Sequence, residues 1–419
     1  MKISKIISGS YFENSSSILL TRMSLSCSSM IITIFIARLL GPEQLGLFSI
    51  AMGLCMIFQY ISILGYDTVT VREIAREPNK GGGLIQHGVV LGILSCFIGT
   101  PLMCVIGKIL HYSPDVMKSI YISSFVLFPS YLNLLVETIF IGLKKARFSF
   151  YTAIIRELTW LILSIWWLNI SKDINAVIVA FIVSRVVGVF LLTFFLQQER
   201  IKWWKDFHWF EFKEIIGLIP TFLFINILSN ILLEVDVIVL SKFVPIVDVG
   251  FYNVAKKILR VSLILIFSLV SALFPIIVET MHKSRENILS SFKQFSLRMF
   301  MVSSAIAATV CIFASQIITV FLGSAFIPSV GFVHVLIWKI IPLSLSFLWS
   351  RYLIAASQQN KDVLALIIGL LIFFVLSILF VRRWGTIGMA YADVLTIIAL
   401  ALIHLHFVNR LIFLTGEKA

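Results

Sequence analysis

The sequence predicts an all-α polytopic membrane protein with about twelve transmembrane helices in two six-helix lobes. Two observations predict this fold, the composition and a segment that occurs twice. Of the 419 residues, 59% are hydrophobic and 13% are charged, and the mean hydropathy is +1.01. Soluble domains carry about 25% charged residues. A chain of this composition is excluded as a soluble globule, and its apolar runs are predicted to cross a membrane.

Apolar runs of about 20 residues are long enough to span a bilayer as a helix. Twelve such runs lie near residues 15–37, 44–66, 84–107, 117–141, 151–170, 174–196, 215–241, 250–279, 293–322, 329–356, 362–381 and 386–411. Because lipid offers a backbone no hydrogen-bond partners, each run is predicted to be helical. Prolines in four of the runs are predicted to bend their helices: Pro129, Pro220, Pro275 and Pro342.

A short segment between the first two runs has a copy later in the chain. Residues 37–51 read ARLLGPEQLGLFSIA and residues 241–255 read SKFVPIVDVGFYNVA. An offset of 204 positions (250 minus 46) aligns Gly46 with Gly250. Two turns of one type, each between two predicted spans, indicate that the chain consists of two equivalent halves.

The predicted halves are an N-terminal lobe, 1–196, and a C-terminal lobe, 215–419, joined by a linker, 197–214. Aromatic residues of the linker, among them Trp203 and Phe207, recur at helical spacing between lysines. This pattern predicts an amphipathic helix at the cytoplasmic surface of the membrane. Lys and Arg are more frequent in the loops on the side of the N-terminus, so both termini are predicted to be cytoplasmic. The net charge of +13 is attributed to these loops, and no nucleic-acid partner is expected.

No pattern in the sequence indicates catalysis, and we expect neither a metal nor a cofactor. The five cysteines all lie in apolar runs, which is typical of packing residues. His404 and His406 are two positions apart, so they lie on different faces of a helix and do not form a metal pair. The stretch 81–83, Gly-Gly-Gly, lacks the Lys-Ser/Thr of a phosphate loop and is predicted to be a flexible turn.

Charged residues inside the spans are the strongest functional signal. A charge at the bilayer centre costs about 2.5–3.5 kcal/mol even on the mildest scale, so such residues usually face a bundle interior or a water-filled cavity. The cations within the runs are Arg22, Arg156, Arg185, Lys256, Lys257, Arg260, Arg298, Lys339 and Arg351. The acids within them are Glu137, Glu157, Glu234, Asp236, Glu279 and Asp393. Since cations outnumber acids, pairing does not neutralise all of them.

Five of the cations are not easily explained by side chains that reach for the membrane surface. They predict a cationic cavity between the two halves that binds an anionic substrate: Arg22, Arg185, Lys256, Arg260 and Lys339. The alternative is internal structural ion pairing. Glu234 and Asp236 are candidates for a proton or sodium site that couples transport to an ion gradient. They are alternatively structural partners of nearby cations such as Lys256.

Several stretches resemble a known family of exporters. They are the turn at 37–51, the run DVIVLSKFVPIVDVGFYNVAKKI at 236–258, the pair Phe274-Pro275, and GTIGMAYADVL at 385–395. Together with the span count, they resemble the polysaccharide branch of the multidrug/oligosaccharidyl-lipid/polysaccharide (MOP) exporter superfamily. Within that branch the chain is most similar to O-antigen flippases of the Wzx type.

The resemblance implies two six-helix lobes related by pseudo-twofold symmetry around a cationic cavity. It further implies a multi-pass flippase of the bacterial inner membrane that is coupled to an ion gradient. The implied substrate is an undecaprenyl-diphosphate-linked oligosaccharide, a repeat unit of O-antigen or another surface glycan. Its expected partners are this lipid-linked oligosaccharide, membrane lipids, and the polymerase and chain-length regulator of the same pathway.

The sequence leaves two other functions open. A small-molecule or drug antiporter of the same superfamily usually handles organic cations, which favours an acidic cavity. A membrane glycan polymerase usually carries a large external loop, which this sequence lacks.

Overall fold

The computed structural model describes residues 9–77, 81–201, 209–281 and 285–414, and within these ranges the regular elements are helices. The helices of the first part of the chain are α1 (Gly9–Ile63), α2 (Tyr66–Arg76), α3 (Gly81–Ile109), α4 (Pro114–Ser124), α5 (Leu127–Gly142), α6 (Arg147–Ser171) and α7 (Ile174–Gln198). Those of the second part are α8 (Trp209–Leu240), α9 (Ile246–Thr280), α10 (Arg285–Phe321), α11 (Ser329–Leu336), α12 (Ile340–Ala355) and α13 (Gln359–Leu414). Short 3₁₀ turns cover Ser324–Phe326 and Ile337–Lys339.

The helices account for the twelve predicted spans. Nine helical stretches in the described ranges are long and apolar enough to cross a membrane. Two of them, Ser16–Ile63 with 48 residues and Gln359–Ile412 with 54 residues, are more than twice the length that one span needs. Each is interrupted by a glycine with non-helical backbone angles, Gly41 (φ 81°) and Gly385 (φ 58°). If each of these two stretches is counted as two spans, the nine stretches give eleven spans, and α8 is the twelfth.

Two spans are broken shortly before a proline. Pro129 has no N–H to donate to the carbonyl four residues earlier, and the chain passes from α4 to α5 just before it. Pro342 has the same effect, and there the 3₁₀ turn Ile337–Lys339 separates α11 from α12. By contrast, α9 continues through Pro275. The breaks fall in the fourth and tenth spans, which are equivalent positions of the two predicted halves.

The two copies of the repeated turn contact each other. A Cβ atom added to Gly46 would lie 2.0 Å from the carbonyl oxygen of Ile246, and one added to Gly250 would lie 2.1 Å from the carbonyl oxygen of Pro42. Only glycine fits a backbone approach this close. The repeat found in the sequence is therefore also a packing contact, and its two glycines are the residues that permit it.

The chain divides into two compact units. The first comprises residues 1–40 and 47–235, and the second comprises residues 41–46 and 236–419. Most of α8 thus groups with the first unit, whereas the prediction placed residues 209–214 of this helix in the linker and residues 215–240 in the C-terminal lobe. The segment 41–46 groups with the second unit, so its contact with α9 lies within that unit.

Two local predictions have different outcomes. The glycines at 81–83 were predicted to form a flexible turn, and this is wrong, because they form the first turn of α3. The predicted linker helix at 197–214 includes residues 202–208, which lie outside the described residues.

Candidate functional site

A buried cluster of opposite charges lies inside the first unit. Its members come from α1, α5, α6 and α7 and are Ser28, Asn133, Glu137, Arg156, Glu157 and Arg185; we call it the Arg156 cluster. Arg156 donates from Nη1 to Glu137 at 2.6 Å and from Nε to Oε1 of Glu157 at 3.3 Å. Nη1 of Arg185 lies 3.0 Å from the same Oε1 atom. Two guanidinium groups and two carboxylates leave the cluster with no net charge.

Polar groups of α1 and α5 complete the Arg156 cluster. Ser28 donates to Oε2 of Glu157 at 2.7 Å. The amide of Asn133 donates to the backbone carbonyl of Arg185 at 2.7 Å. A Cβ atom added to Gly188 would lie 2.2 Å from Oδ1 of Asn133, so a glycine on α7 makes room for this asparagine. Since buried charges are tolerated only when paired and hydrogen-bonded, these contacts explain how four charges are held inside a membrane domain.

Arg185, a predicted substrate-binding residue, is therefore paired with Glu157 inside the first unit. Its exposed fraction is 6%, and its guanidinium lies 4.1 Å from the ring centroid of Phe181. Its Nε atom is buried without a hydrogen-bond partner among the described groups. An anion that binds at Nη1 of Arg185 must displace Glu157.

A second buried ion pair joins α8 and α9 in the second unit. Nζ of Lys256 lies 2.5 Å from Oδ1 of Asp236. The hydroxyl of Tyr252 donates to Oδ2 of Asp236 at 3.0 Å, and the backbone N–H of Val237 donates to Oδ1 at 2.8 Å. Asp236 is thus paired with Lys256. Structural pairing with a nearby cation was one of the two roles predicted for Asp236.

A third buried ion pair is placed by the break in the tenth span. Lys339 ends the 3₁₀ turn that precedes α12, and its Nζ donates to both carboxylate oxygens of Asp393 at 2.7 and 2.6 Å. Both residues are buried. Each of the two lysines, Lys256 and Lys339, is therefore paired with one buried carboxylate.

The remaining predicted site residues are Arg22, Arg260 and Glu234. Arg22 is exposed on α1, and Arg260 is half-buried on α9, one helical turn after Lys256. Glu234 is buried and groups with the first unit, whereas Asp236 groups with the second. Structural pairing, the alternative weighed for the buried cations, thus applies to Arg185, Lys256 and Lys339, and their role in substrate binding stays a prediction.

Lys339 pairs with Asp393 and is also a predicted substrate-binding residue. A variant that removes both charges of this pair distinguishes the structural role from the binding role. Asp393→Asn alone is expected to lower the free energy of unfolding by about 3–5 kcal/mol, because it leaves a buried ammonium without its carboxylate. The double variant Lys339→Met/Asp393→Leu removes both charges and is expected to recover most of that stability. If Lys339 also binds the anionic substrate, the double variant is folded and inactive, as measured by its thermal unfolding midpoint and by transport. A folded and active double variant would contradict the substrate role.

One buried polar group was not found from the sequence. His404 contacts Ser346 and Asp362, and all three side chains are buried. Metal-ligand spacing is a short-range signal, whereas Asp362 and Ser346 are 42 and 58 positions from His404 in the sequence. His406 is exposed, which confirms that it lies on a different face from His404.

Comparison with known sequences identifies the family. The sequence profile of the polysaccharide biosynthesis protein family (Polysacc_synt) matches residues 12–281, which is more than half of the chain. The probable low-salt glycan biosynthesis flippase Agl15 of Haloferax volcanii is 19% identical over 390 residues, which cover 90% of this chain and 79% of the relative.

Solved structures of similar fold are MOP superfamily transporters. A multidrug resistance MATE family transporter in its inward-facing conformation gives a TM-score of 0.79 at 15% identity, with 96% of this chain and 99% of that chain covered. A MOP superfamily transporter from Pyrococcus furiosus, described as having a binding pocket of reverse polarity, gives 0.72 at 14% identity, with 97% and 96% covered.

At these identities the structural likeness shows the fold alone, and it confirms the predicted all-α, twelve-helix architecture of two lobes. The relatives are named as a flippase and as transporters, in agreement with the prediction that the chain is not an enzyme. The match over residues 12–281 shows that the chain belongs to the polysaccharide biosynthesis protein family.

Proposed function

We propose that the protein is a flippase that translocates undecaprenyl-diphosphate-linked oligosaccharide repeat units by alternating access. The observation that carries this proposal is the similarity to a probable glycan biosynthesis flippase over 90% of the chain. The repeat units are those of O-antigen or a similar surface polysaccharide, and the membrane is the bacterial inner membrane with both termini in the cytoplasm. The polymerase and chain-length regulator of the same pathway are the proposed protein partners.

The diphosphate of such a substrate requires positive partners. Among the proposed binding residues, Arg22 is exposed and Arg260 is half-buried, and arginine binds phosphate through two parallel hydrogen bonds. Lys256 and Lys339 are each bound to a carboxylate. For these lysines, and for Arg185, a phosphate must compete with an internal acid.

Asp236, which is paired with Lys256, and the buried Glu234 are the proposed ion-coupling residues. Both are carboxylates of α8, and ionisable residues inside membrane spans commonly form the ion sites of transporters.

Complementation tests the function. Deleting the gene is expected to abolish the surface glycan and to cause accumulation of single lipid-linked repeat units on the cytoplasmic side, and the wild-type gene reverses both effects. Loss of glycan without this accumulation would point away from a flippase. Altered susceptibility to organic cations, with normal glycan, would point to a drug antiporter.

Arginine variants test the proposed binding residues in the same strain. At low expression, Arg22→Ala and Arg260→Ala are each expected to lower surface glycan tenfold or more, and the corresponding lysine variants should retain more function because they keep the charge. The control is Lys118→Ala, since Lys118 is an exposed cation with one weak contact at 3.9 Å to Asp173. Full function of both arginine-to-alanine variants would refute the proposed role of these cations.

A further inference from the structure

A chain of hydrogen bonds joins α12 to both ends of α13 inside the second unit. The imidazole Nε2 of His404 lies 2.9 Å from Oδ1 of Asp362, and its Nδ1 lies 2.8 Å from Oγ of Ser346. The exposed fractions of His404, Asp362 and Ser346 are 2%, 4% and 3%. The arrangement is therefore shielded from solvent, and each nitrogen of the ring has one partner.

The geometry satisfies the ring in two protonation states. A carboxylate only accepts hydrogen bonds, so Nε2 carries a hydrogen and donates it to Asp362. A serine hydroxyl both donates and accepts. When the ring is neutral, Ser346 donates to Nδ1, and when Nδ1 is protonated, Ser346 accepts from it. One proton can therefore be added or removed by a rotation of the Ser346 hydroxyl, while the heavy atoms keep their places.

Among the described residues, the group of Ser346, His404 and Asp362 differs from the other buried ion clusters in the type of its cation. The Arg156 cluster and the pairs of Lys256 and Lys339 have Arg or Lys as their cations. Arginine stays protonated in proteins, and lysine ordinarily titrates far above neutrality. Histidine is the side chain whose ordinary charge change falls between pH 5 and 8. His404 thus sets this group apart, because its cation is the side chain that most readily gains or loses a proton.

Other charged groups on the elements packed against α13 define the electrostatic surroundings. Those toward this end of the span are Glu279 on α9, Arg285, Glu286, Lys293 and Arg298 on α10, Arg351 on α12, and Lys361, His406 and Arg410 on α13 itself. Arg351 lies over the rings of Phe347 and Phe274, and the others are exposed except the half-buried Lys361. His334 of α11 and Lys339 precede Ser346 along the tenth span by about 18 and 10 Å. Asp362 is therefore the buried charge in direct contact with the His404 ring.

We propose that Ser346, His404 and Asp362 form a proton-binding site that takes up one proton on Nδ1 of His404. With the proton bound, Asp362 and the imidazolium form a neutral pair. Without it, Asp362 is left as a buried negative charge, which is unfavourable in a low-dielectric interior. Loss of the proton therefore favours a looser contact of α12 with α13. The site itself stands on this geometry alone, and only its use in coupling rests on the proposed transport function.

Magnetic resonance of the wild-type protein tests the site directly. Full-length protein with ¹⁵N,¹³C-labelled histidine is reconstituted in lipid bilayers, and the ring signals are followed from pH 5 to pH 8. The signal lost in His404→Gln is assigned to His404. We expect Nδ1 of His404 to change from protonated to unprotonated across this range. A His404 ring that keeps a single protonation state from pH 5 to pH 8 would overturn the proposal.

Two variants refine this measurement. Asp362→Asn removes the charge and is expected to reduce the protonated fraction of His404 at pH 6 at least twofold. His406→Gln changes an exposed ring two positions away and should leave the His404 titration as in wild type. An unchanged protonated fraction in Asp362→Asn would contradict the role of the carboxylate.

Coupling is tested separately by transport of a fluorescent undecaprenyl-diphosphate oligosaccharide in proteoliposomes with an imposed pH difference. Wild type and His406→Gln are expected to show at least a threefold effect of the gradient, and His404→Gln none. If wild type moves no oligosaccharide, the proposed function fails while the proton site can still be confirmed by resonance. If transport follows the gradient equally in His404→Gln, the coupling role of the site fails while the flippase function stands.

Discussion

A methyl group at Gly250 is expected to prevent stable folding of the protein. Its Cβ would lie 2.1 Å from the carbonyl oxygen of Pro42 and 3.2 Å from the backbone nitrogen of Gly46. Overpacking against side chains typically costs about 1–3 kcal/mol. Here the obstacle is backbone, so we expect a loss of free energy of unfolding at or above that range. The total free energy of unfolding of a protein is only about 5–15 kcal/mol. The measurements are the yield of monodisperse protein from the membrane and its thermal unfolding midpoint.

Gly331 supplies the matched control for this experiment. It is also a helical glycine of the second unit, on α11, but nothing lies within 4 Å of an added Cβ atom. Gly331→Ala is expected to be neutral or slightly stabilising, because alanine favours a helix over glycine by about 1 kcal/mol. Gly46→Ala should resemble Gly250→Ala, since its Cβ meets Ile246. A Gly250→Ala protein that unfolds at the wild-type temperature would show that the backbones do not approach this closely.

Glu157→Gln is expected to be the most destabilising conservative change in the first unit. Glu157 accepts hydrogen bonds or ion pairs from Arg156, Arg185 and Ser28. With a neutral amide in its place, two buried guanidinium groups share one carboxylate, that of Glu137. Removing one partner of a buried ion pair costs about 3–5 kcal/mol. The change keeps the side-chain volume, so the loss in thermal unfolding midpoint reports charge and hydrogen bonding rather than packing.

Glu199→Gln is the corresponding control at the protein surface. Glu199 pairs with Lys145 at 2.5 Å, but 40% of the lysine side chain and 20% of the glutamate side chain are exposed. Exposed pairs contribute about 0–1 kcal/mol, so this variant is expected to unfold close to wild type. Equal losses in the two glutamine variants would mean that the Arg156 cluster does not hold the first unit together.

The helices and the repeat could be predicted from the sequence because both are local properties. A run of about 20 apolar residues in lipid must satisfy its backbone internally, and the helix is the local way to do so. Gly46 and Gly250 could be aligned by counting residues alone. That the two glycines contact each other is a property of the packed chain, and the sequence offered no signal for it beyond the presence of glycine in both copies.

The pairing of the buried charges could not be predicted because it is a tertiary property. The sequence gives only the total numbers of cations and acids inside the spans, and by these totals cations exceed acids. The structure instead sorts them into local groups, such as Lys339 with Asp393, 54 positions apart, and each group balances its own charge. The sequence indicated one such pair, Asp236 with Lys256, as the alternative role of Asp236. His404 was missed for the same reason, since neither of its partners is within one helical turn of it.

The reciprocal contact of the repeated turns has a consequence for the ancestry of the chain. Position 46 meets position 246, which is the copy of position 42, and position 250, the copy of 46, meets position 42 itself. Contacts in which residue i meets residue j and j meets i are isologous, the kind that two identical subunits form in a homodimer. The two turns therefore pack as two half-length chains would, and a substitution selected at one glycine of an ancestral homodimer would have been imposed on both sides of the contact at once.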